Sequence, residues 1–264
     1  MRLRTDFDLN PVPPQARLDN QPERKVRYDS RVNNSLFASL ERKALNRIAP
    51  LLPVWCTPNG MTMVGVAGGL IVVLGYGLSN YSPGWLWLAN AGLAVHWLGD
   101  SLDGTLARLR QIERPRYGFY LDQAIDTLGN VLIAIGVGIS GAARLDIALL
   151  VLAAFHMLSI QVYVRAIVDR EFHLAVGRLG PTEMRIGILA MNLGITLFGA
   201  PTLTALPCRM TWCDILMSCT GLGLFGLYAH QMRGHLRRLS SEDPVPAAPI
   251  PVMAAERPQA DQPA

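Results

Sequence analysis

Long apolar stretches separated by short polar segments fill this chain between residues 60 and 233. Each stretch is about 20 residues long, the length of a helix that crosses the hydrocarbon core of a bilayer. The pattern predicts an all-α polytopic membrane protein with six transmembrane helices. Their predicted positions are 60–79, 85–106, 118–140, 145–167, 183–203 and 211–233. Acidic residues and glycines interrupt the second and third, so hydropathy alone supports those two less well.

The segments outside the spans differ from one another in pattern. Residues 1–33 are polar and lack helical periodicity, which predicts a flexible N-terminal tail. Residues 34–49 are basic and half apolar, with the apolar positions on one broad arc, so we expect an amphipathic helix in the membrane interface rather than a plain connector. Residues 239–264 are rich in Pro and Ala and predict a disordered tail. Residues 34–238 would then form one membrane domain.

Composition and charge agree with a membrane protein and give its orientation. Half of the residues are hydrophobic, 17% are charged, and the mean hydropathy is +0.25. Of the 24 Lys and Arg residues, 22 flank the spans on one side, and only Arg144 and Arg209 lie on the other. The positive-inside rule therefore places both termini in the cytoplasm, and the expected location is a bacterial inner membrane. Nucleic-acid binding is not expected, because no soluble domain interleaves basic and aromatic residues.

The four cysteines do not predict a metal centre. Cys56, Cys208, Cys213 and Cys219 form no CxxC pair and have no histidine at ligand spacing, so structural zinc is not expected. Cys208 and Cys213 flank the last outward loop. They would pair in an oxidising compartment or remain free thiols.

Four aspartates carry the strongest chemical signal. Asp100 and Asp103 are three residues apart in the second span, and Asp122 and Asp126 are four apart in the third, so each helix presents a carboxylate pair on one face. With a rise of about 1.5 Å per residue, all four lie at a similar depth inside the cytoplasmic face of a helical hairpin. We therefore expect them to meet at one point.

Carboxylates in a membrane need positive partners, and two kinds are available. Oxygen clusters bind Mg²⁺, Mn²⁺ or Ca²⁺, and two such ions at a cytoplasmic interface indicate phosphate chemistry. Gly104 and Gly118 would admit an anionic headgroup, and Arg108 would hold a phosphate. The alternative is a structural salt-bridge network with the arginines of the loop, which are Arg108, Arg110, Arg114 and Arg116.

The spacing of these residues resembles the signature of the CDP-alcohol phosphotransferases. Eight positions over 27 residues match: Asp100, Asp103, Gly104, Ala107, Arg108, Gly118, Asp122 and Asp126. Nine residues separate Arg108 from Gly118, where the usual family pattern has eight. The additional residue falls in the loop, so the two helix faces should survive.

The resemblance implies a reaction and a role for each residue. An acceptor hydroxyl would attack the phosphorus joined to a CDP-alcohol, and CMP would leave. Asp100, Asp103, Asp122 and Asp126 would bind two Mg²⁺ or Mn²⁺ ions that bridge the diphosphate, and Asp126 would also be the general base. The CDP pocket would be formed by Gly104, Ala107, Arg108 and Gly118, with Asn59 and Thr62 as weaker candidates. Helix capping after Pro58 is the alternative role of Asn59 and Thr62. A homodimer is also implied.

Three further polar residues lie in or beside the spans. Arg185 and, with less support, Arg165 would bind a phosphate of the acceptor or of a lipid, or else reach the interface as ordinary positive-inside residues. His96 precedes Asp100 by one turn and is expected to be a packed core histidine rather than a neighbour of the metal ligands. Gly65 and Gly69 form a GxxxG pattern typical of close helix packing.

The sequence leaves the substrates open. Either CDP-diacylglycerol is the donor and a small soluble alcohol the acceptor, or a small CDP-alcohol donates to diacylglycerol. The segment 52–65 resembles the choline and ethanolamine branch, but it is too short to decide. The alternative functions are an aspartate-rich, Mg²⁺-dependent prenyltransferase and a divalent cation transporter. Both are disfavoured by the single bipartite motif and by the lack of an internal repeat.

Overall fold

The computed structural model describes residues 38–169, 181–203 and 210–244, and these form a helical bundle. The helices are α1 (Ala38–Ile48), α2 (Pro58–Ser79), α3 (Leu86–Leu109), α4 (Pro115–Ile139), α5 (Leu145–Asp169), α6 (Pro181–Phe198) and α7 (Trp212–Glu242). Short 3₁₀ turns occupy Ala49–Leu51 and Pro83–Trp85, and two antiparallel strands pair Thr202–Leu203 with Met210–Thr211. The predicted N-terminal tail, 1–33, lies outside the described residues.

The six long helices coincide with the six stretches predicted to span the membrane. Four of them, α2, α4, α5 and α7, are long and apolar enough to cross a bilayer. The other two carry charged residues, Asp100 and Asp103 in α3 and Glu183 and Arg185 in α6, which lower their hydropathy. The all-α membrane class is therefore confirmed, and the count of six crossings stays a prediction. Helix α7 continues to Glu242, past residue 239, where the C-terminal tail was expected to begin.

Glycines bring α2 and α3 into backbone contact. A Cβ on Gly99 would lie 2.3 Å from the Gly65 amide nitrogen, and one on Gly68 would lie 2.4 Å from that of His96. Such distances leave no room for a side chain, so the glycines set the spacing of the two helices. The two glycines of the predicted GxxxG pattern contact different helices. Gly65 faces α3, whereas Gly69 faces Leu132 of α4. These contacts fix α3, which carries the first aspartate pair.

His96 is a packed core residue, as expected. Its side chain is 1% exposed, and its Nδ1 donates a hydrogen bond to the Gly65 carbonyl oxygen at 3.0 Å. The ring lies against α4, where a Cβ on Gly129 would be 2.5 Å from the His96 Cε1 atom. His96 thereby joins α2, α3 and α4 one turn away from Asp100.

Polar contacts tie the bundle together away from the aspartates. Asn192 of α6 accepts a hydrogen bond from the Tyr76 hydroxyl at 2.8 Å and donates to Asn90 at 2.7 Å, which anchors α6 to α2 and α3. Buried Asp214 caps α7 and accepts from the backbone amide of Arg144, at the turn before α5. Neighbouring Cys213 is buried, and Cys208, with which it would either pair or remain a free thiol, lies outside the described residues.

The proline-rich linker between α1 and α2 is held by one arginine. The guanidinium of Arg110, just after α3, donates to the carbonyl oxygens of Leu52, Pro53, Val54 and Cys56. Since this segment forms no regular secondary structure, these hydrogen bonds fix its course against the end of α3. Arg110 thus fixes the point from which α2 starts. From the sequence it was expected only as an alternative salt-bridge partner of the aspartates.

Replacing Arg110 with Ala should loosen this linker. We expect a loss of about 2 kcal/mol in the free energy of unfolding, since several hydrogen bonds from a charged donor are removed. Thermal unfolding in detergent micelles would measure it. Arg110→Lys should restore only part of the stability, because an ammonium group lacks the planar fork that serves several carbonyls. Full stability in Arg110→Ala would contradict the anchoring role.

Candidate active site

Three of the four aspartates meet between α3 and α4. One carboxylate oxygen from each of Asp100, Asp122 and Asp126 lies within 4.8 Å of the other two. All three residues are partly buried, and they come from α3 and α4, the two helices joined by the short loop after Leu109. The expectation that the two pairs converge is confirmed for these three residues, which we call the aspartate cluster.

Asp103 departs from the predicted meeting point. Its Oδ2 accepts a hydrogen bond from the Thr62 hydroxyl at 2.7 Å, and its Oδ1 accepts from the Gly104 amide at 2.5 Å. Three residues along a helix rotate a side chain by about 300°, which is about 60° short of a full turn, and advance it by about 4.5 Å. This offset turns Asp103 from the cluster toward α2. Its carboxylate borders the same cavity as the cluster but lies on the α2 side.

Among the described residues, Arg185 brings a guanidinium to the aspartate cluster. Its guanidinium lies 2.9 Å from the Asp100 Oδ2 atom, and both side chains are mostly buried. Three of the four loop arginines have contacts of their own. Arg108 donates to the Thr105 hydroxyl, Arg110 to the linker carbonyls, and Arg114 lies over the Tyr117 ring. None of these three contacts is with an aspartate of the cluster, so they do not form the salt-bridge network that was the alternative to a metal site.

A cavity of about 1340 Å³ surrounds the cluster. This volume exceeds the few hundred Å³ that a single small ligand needs, so two substrates can be accommodated. Its lining includes nearly every residue predicted for the site: Asn59, Thr62, Asp100, Asp103, Gly104, Ala107, Arg108, Gly118, Asp122, Asp126 and Arg185. Arg165 is not among the lining residues, which leaves it without structural support as a phosphate ligand.

The two motif glycines leave different kinds of space. A Cβ on Gly104 would lie 3.4 Å from the Arg108 guanidinium, so Gly104 lets that arginine fold back over α3. A Cβ on Gly118 would meet no atom of the described residues within 4 Å. Protein packing therefore does not require glycine at position 118, and the space beside it belongs to the cavity.

Gly118→Ala should separate ligand binding from folding. Ala is the better residue in the first turns of α4 by roughly 0.5–1 kcal/mol, so thermal stability should hold or rise. Turnover should fall by about tenfold, since one methyl group in a close-fitting pocket has an effect of that order. Gly99→Ala is the contrasting variant and should be destabilised by about 2 kcal/mol through overpacking. Unchanged turnover in Gly118→Ala would remove residue 118 from the site.

The start of α2 clarifies the roles of Asn59 and Thr62. The N-cap is Thr57, whose hydroxyl oxygen accepts from the Gly60 amide at 3.1 Å, so capping is not the role of either residue. The Asn59 amide donates to the Tyr117 hydroxyl at 3.2 Å, and Thr62 donates to Asp103. Asn59 therefore connects α2 to α4, and Thr62 connects α2 to α3.

The connection between α3 and α4 absorbs the additional residue of the motif. It runs from Arg110 to Arg114, and Gln111 has a positive φ of 57°. The Ile112 amide donates to the Ala107 carbonyl oxygen across this residue, which closes the end of α3. The irregularity is confined to the loop, as expected, and the helix faces that carry the aspartates are undisturbed.

Sequence patterns missed three residues of the site. Gln123 donates from its amide to the Asp122 carboxylate at 2.9 Å, and its oxygen accepts from the Tyr163 hydroxyl of α5 at 2.5 Å. Glu41 of α1 accepts hydrogen bonds from α3 and α6. All three line the cavity. The position of Gln123 beside Asp122 was a usable signal, whereas the contacts of Tyr163 and Glu41 depend on tertiary packing.

The donor set fits a hard divalent cation. Three carboxylates this close repel one another unless protons or cations offset their charge, and Arg185 supplies one positive charge. Carboxylate oxygens are the ligands that Mg²⁺ and Mn²⁺ prefer, and no thiol or imidazole is in the cluster to favour a softer metal. The aspartate cluster can therefore hold a divalent metal ion.

Comparison with curated proteins finds relatives in lipid synthesis. The archaetidylinositol phosphate synthase of Pyrococcus horikoshii is 33% identical over 119 residues, which are 45% of this chain and 60% of that protein. The phosphatidylinositol phosphate synthase of Cutibacterium acnes is 32% identical over 98 residues, 37% of this chain and 45% of that protein. Cholinephosphotransferase 1 of Mus musculus is 28% identical over 186 residues, 65% of this chain and 44% of that protein.

These alignments cover about half the length of the curated relatives. A sequence model of the CDP-alcohol phosphatidyltransferase family matches residues 55–219, which is more than half of the chain. The matched region begins just before α2, includes the whole aspartate motif and ends within α7. The resemblance first drawn from eight motif positions is thereby confirmed over most of the membrane domain. The chain belongs to the CDP-alcohol phosphatidyltransferase family.

Proposed function

We propose that the protein is an integral membrane transferase that moves a substituted phosphate group from a CDP-alcohol to a second alcohol and releases CMP. The observation that carries this proposal is the aspartate cluster inside a cavity that the other motif residues line. Family membership supports the same reaction class. The prenyltransferase and cation-transporter alternatives have no comparable support.

Asp126 is the proposed general base. The acceptor hydroxyl attacks the phosphorus joined to the alcohol, the bond from that phosphorus to the oxygen of CMP breaks, and Asp126 takes the hydroxyl proton. Of the two aspartates on α4, Asp126 lies further from the loop that joins α3 and α4, and the cavity continues beyond it along α4 to Asn130. An acceptor in that part of the cavity would reach Asp126 without displacing the nucleotide.

The cytoplasmic part of the cavity is the proposed nucleotide pocket. Gly104, Ala107, Arg108 and Gly118 would contact the CDP group, and Asn59 and Thr62 would border it from α2. Asp100, Asp122 and Asp126, together with Asp103, would hold two Mg²⁺ or Mn²⁺ ions. When bound, such ions neutralise charge on the diphosphate as the bond to CMP breaks.

Arg185 is the proposed ligand of a phosphate on the acceptor or on a lipid. It reaches the cavity from α6 and already lies at the cluster. Its guanidinium geometry suits a tetrahedral phosphate. Arg165 was a weaker candidate for the same role and, outside the cavity lining, is not part of this proposal.

The substrate pair has two possible arrangements, and the relatives are divided between them. Two are named as synthases of inositol phosphate lipids, and one is named as a cholinephosphotransferase. The first arrangement pairs CDP-diacylglycerol with a small soluble acceptor. The second pairs a small CDP-alcohol with diacylglycerol.

The membrane arrangement forms part of the proposal. All six long helices would cross the bilayer, and α1 would lie in its interface. The aspartate cluster lies in the halves of α3 and α4 that are nearer to their connecting loop, which supports a cluster towards the side rich in Lys and Arg. We therefore propose that both termini and the active site are cytoplasmic and that the protein resides in a bacterial inner membrane. A homodimer rests on the family resemblance alone.

The test is a CMP-release assay with purified protein in liposomes. Radiolabelled CDP-diacylglycerol, CDP-choline and CDP-ethanolamine are each offered with Mg²⁺ or Mn²⁺ and with inositol phosphate, glycerol phosphate or diacylglycerol. CMP release from at least one pair, dependent on both the acceptor and the metal, is the expected result. No CMP from any pair would overturn the proposed function, and the productive pair identifies the arrangement of substrates.

A further inference from the structure

Glu41 is an acidic residue of α1 that the proposed reaction does not use. It interrupts the apolar arc of the helix, where a charge is unexpected. Its Oε1 atom accepts hydrogen bonds from the Trp97 indole and the Ser101 hydroxyl of α3, both at 3.0 Å. Its Oε2 atom accepts from the Thr182 hydroxyl of α6 at 3.2 Å. One carboxylate therefore joins three helices.

The residues that contact Glu41 are close in sequence to the two residues that form the ion pair between α3 and α6. Ser101 follows Asp100 directly, and Thr182 precedes Arg185 by one helical turn. Arg185 in turn pairs with Asp100 at 2.9 Å. Two parallel connections thus join the same segments of α3 and α6, one through Glu41 and one through the cluster.

The position of α6 decides where the Arg185 guanidinium lies. Thr182 is in the first turn of α6, and residues three or four apart in a helix move together as one face. A carboxylate that holds Thr182 against α3 therefore also keeps Arg185 within reach of Asp100. The ion pair places the Arg185 guanidinium against Asp100, one of the three carboxylates that would hold a metal ion.

We propose that Glu41 is a positioning residue that docks α1 and the first turn of α6 on α3 and so holds Arg185 at Asp100. This deepens the proposed function and rests on it, because it assigns the interfacial helix a part in setting the metal site. Arg185 keeps the cluster partly neutralised before metal binds and is already in place for a substrate phosphate. A metal ion held by Asp100 would compete with this ion pair for the carboxylate.

The proposal predicts opposite effects on metal affinity and on turnover. In Glu41→Ala, Arg185 is held less firmly, so Mn²⁺ alone should bind about fivefold more tightly. Turnover should fall by about tenfold, because Arg185 is no longer held in position for the reaction. The KM for the CDP-alcohol should change little, because Arg185 is not one of the residues proposed to bind the nucleotide. Simple damage to the fold would weaken both metal binding and turnover.

The experiment measures Mn²⁺ binding by electron paramagnetic resonance in nanodiscs, alongside CMP release. Thr182→Val removes only the contact with α6 and keeps the experiment informative if Glu41→Ala folds poorly. Glu41→Gln retains an oxygen for the α3 donors and should stay close to the wild type. Lys43→Ala, an exposed change on the same helix, is the matched control and should have no effect.

The outcomes distinguish this inference from the proposed function. Tighter Mn²⁺ binding in Glu41→Ala and Thr182→Val, with no further gain when Glu41→Ala is added to Arg185→Gln, supports it. Unchanged or weaker binding in both single variants, in a wild type that binds Mn²⁺ and releases CMP, overturns this inference alone. A wild type that binds no Mn²⁺ overturns the metal site and both proposals.

Discussion

Asp126→Asn is expected to abolish CMP release while leaving the protein folded. Asparagine has nearly the same shape as aspartate, but its amide cannot take a proton from an acceptor hydroxyl and is a poor metal ligand. The loss of a general base alone lowers turnover by about 10³-fold, and the weakened metal site adds to that. Removing one negative charge from the cluster also relieves repulsion with Asp100 and Asp122.

Asp126→Asn therefore has a signature that a folding defect would not produce. Its melting temperature without metal should equal or exceed that of the wild type, while CMP release falls to background. Asp146→Asn is the matched control. Asp146 is exposed at the start of α5, where it pairs with Arg144 outside the cavity lining, and its replacement should leave turnover unchanged. Turnover near the wild-type rate in Asp126→Asn would remove the base assignment.

Asp122→Asn should remove the stabilisation that divalent metal gives to the protein. A ligand that binds only the folded state at 100 times its Kd stabilises it by about 2.7 kcal/mol, so Mn²⁺ should raise the melting temperature of the wild type. Asp122 contributes one of the three converging oxygens, and Gln123 holds its carboxylate in place. Without that ligand, we expect the shift to disappear and CMP release to fall by about a hundredfold or more.

Thermal melts with Mn²⁺ and with EDTA measure this effect. Chelation should lower the melting temperature of the wild type to that of the metal-free protein and stop CMP release, and added Mn²⁺ should reverse both. Gln123→Ala provides a graded comparison, because it removes the support of Asp122 but keeps the carboxylate. An Asp122→Asn protein that retains the full Mn²⁺ shift would place the metal elsewhere.

Local pattern was enough to predict the helices and most of the site. Apolar runs of membrane-crossing length located all six long helices, because burial in lipid imposes that length on the sequence. Spacings of three and four residues placed Asp100, Asp122 and Asp126 on facing helix surfaces, and the structure brings them together. These features depend on helix geometry, which the spacing of residues fixes directly.

Features that depend on how helices pack were not predictable from one sequence. The turn of Asp103 toward Thr62 and the reach of Arg185 to Asp100 follow from the relative rotation of α2, α3 and α6. Position alone suggested Arg165 as a second phosphate ligand, yet the packing leaves it outside the cavity lining. Glu41 falls on the apolar arc of α1, and the three residues that donate to it lie on α3 and α6. Its role therefore cannot be inferred from the pattern of α1 alone.

The most direct test of the aspartate cluster as the catalytic metal site is anomalous diffraction from crystals grown with Mn²⁺ and CMP. We predict a manganese peak within bonding distance of the carboxylates of Asp100, Asp122 and Asp126, with the CMP phosphate beside it and Arg185 displaced from Asp100. Manganese bound away from these carboxylates, or crystals that contain CMP in the cavity but no manganese, would contradict the account.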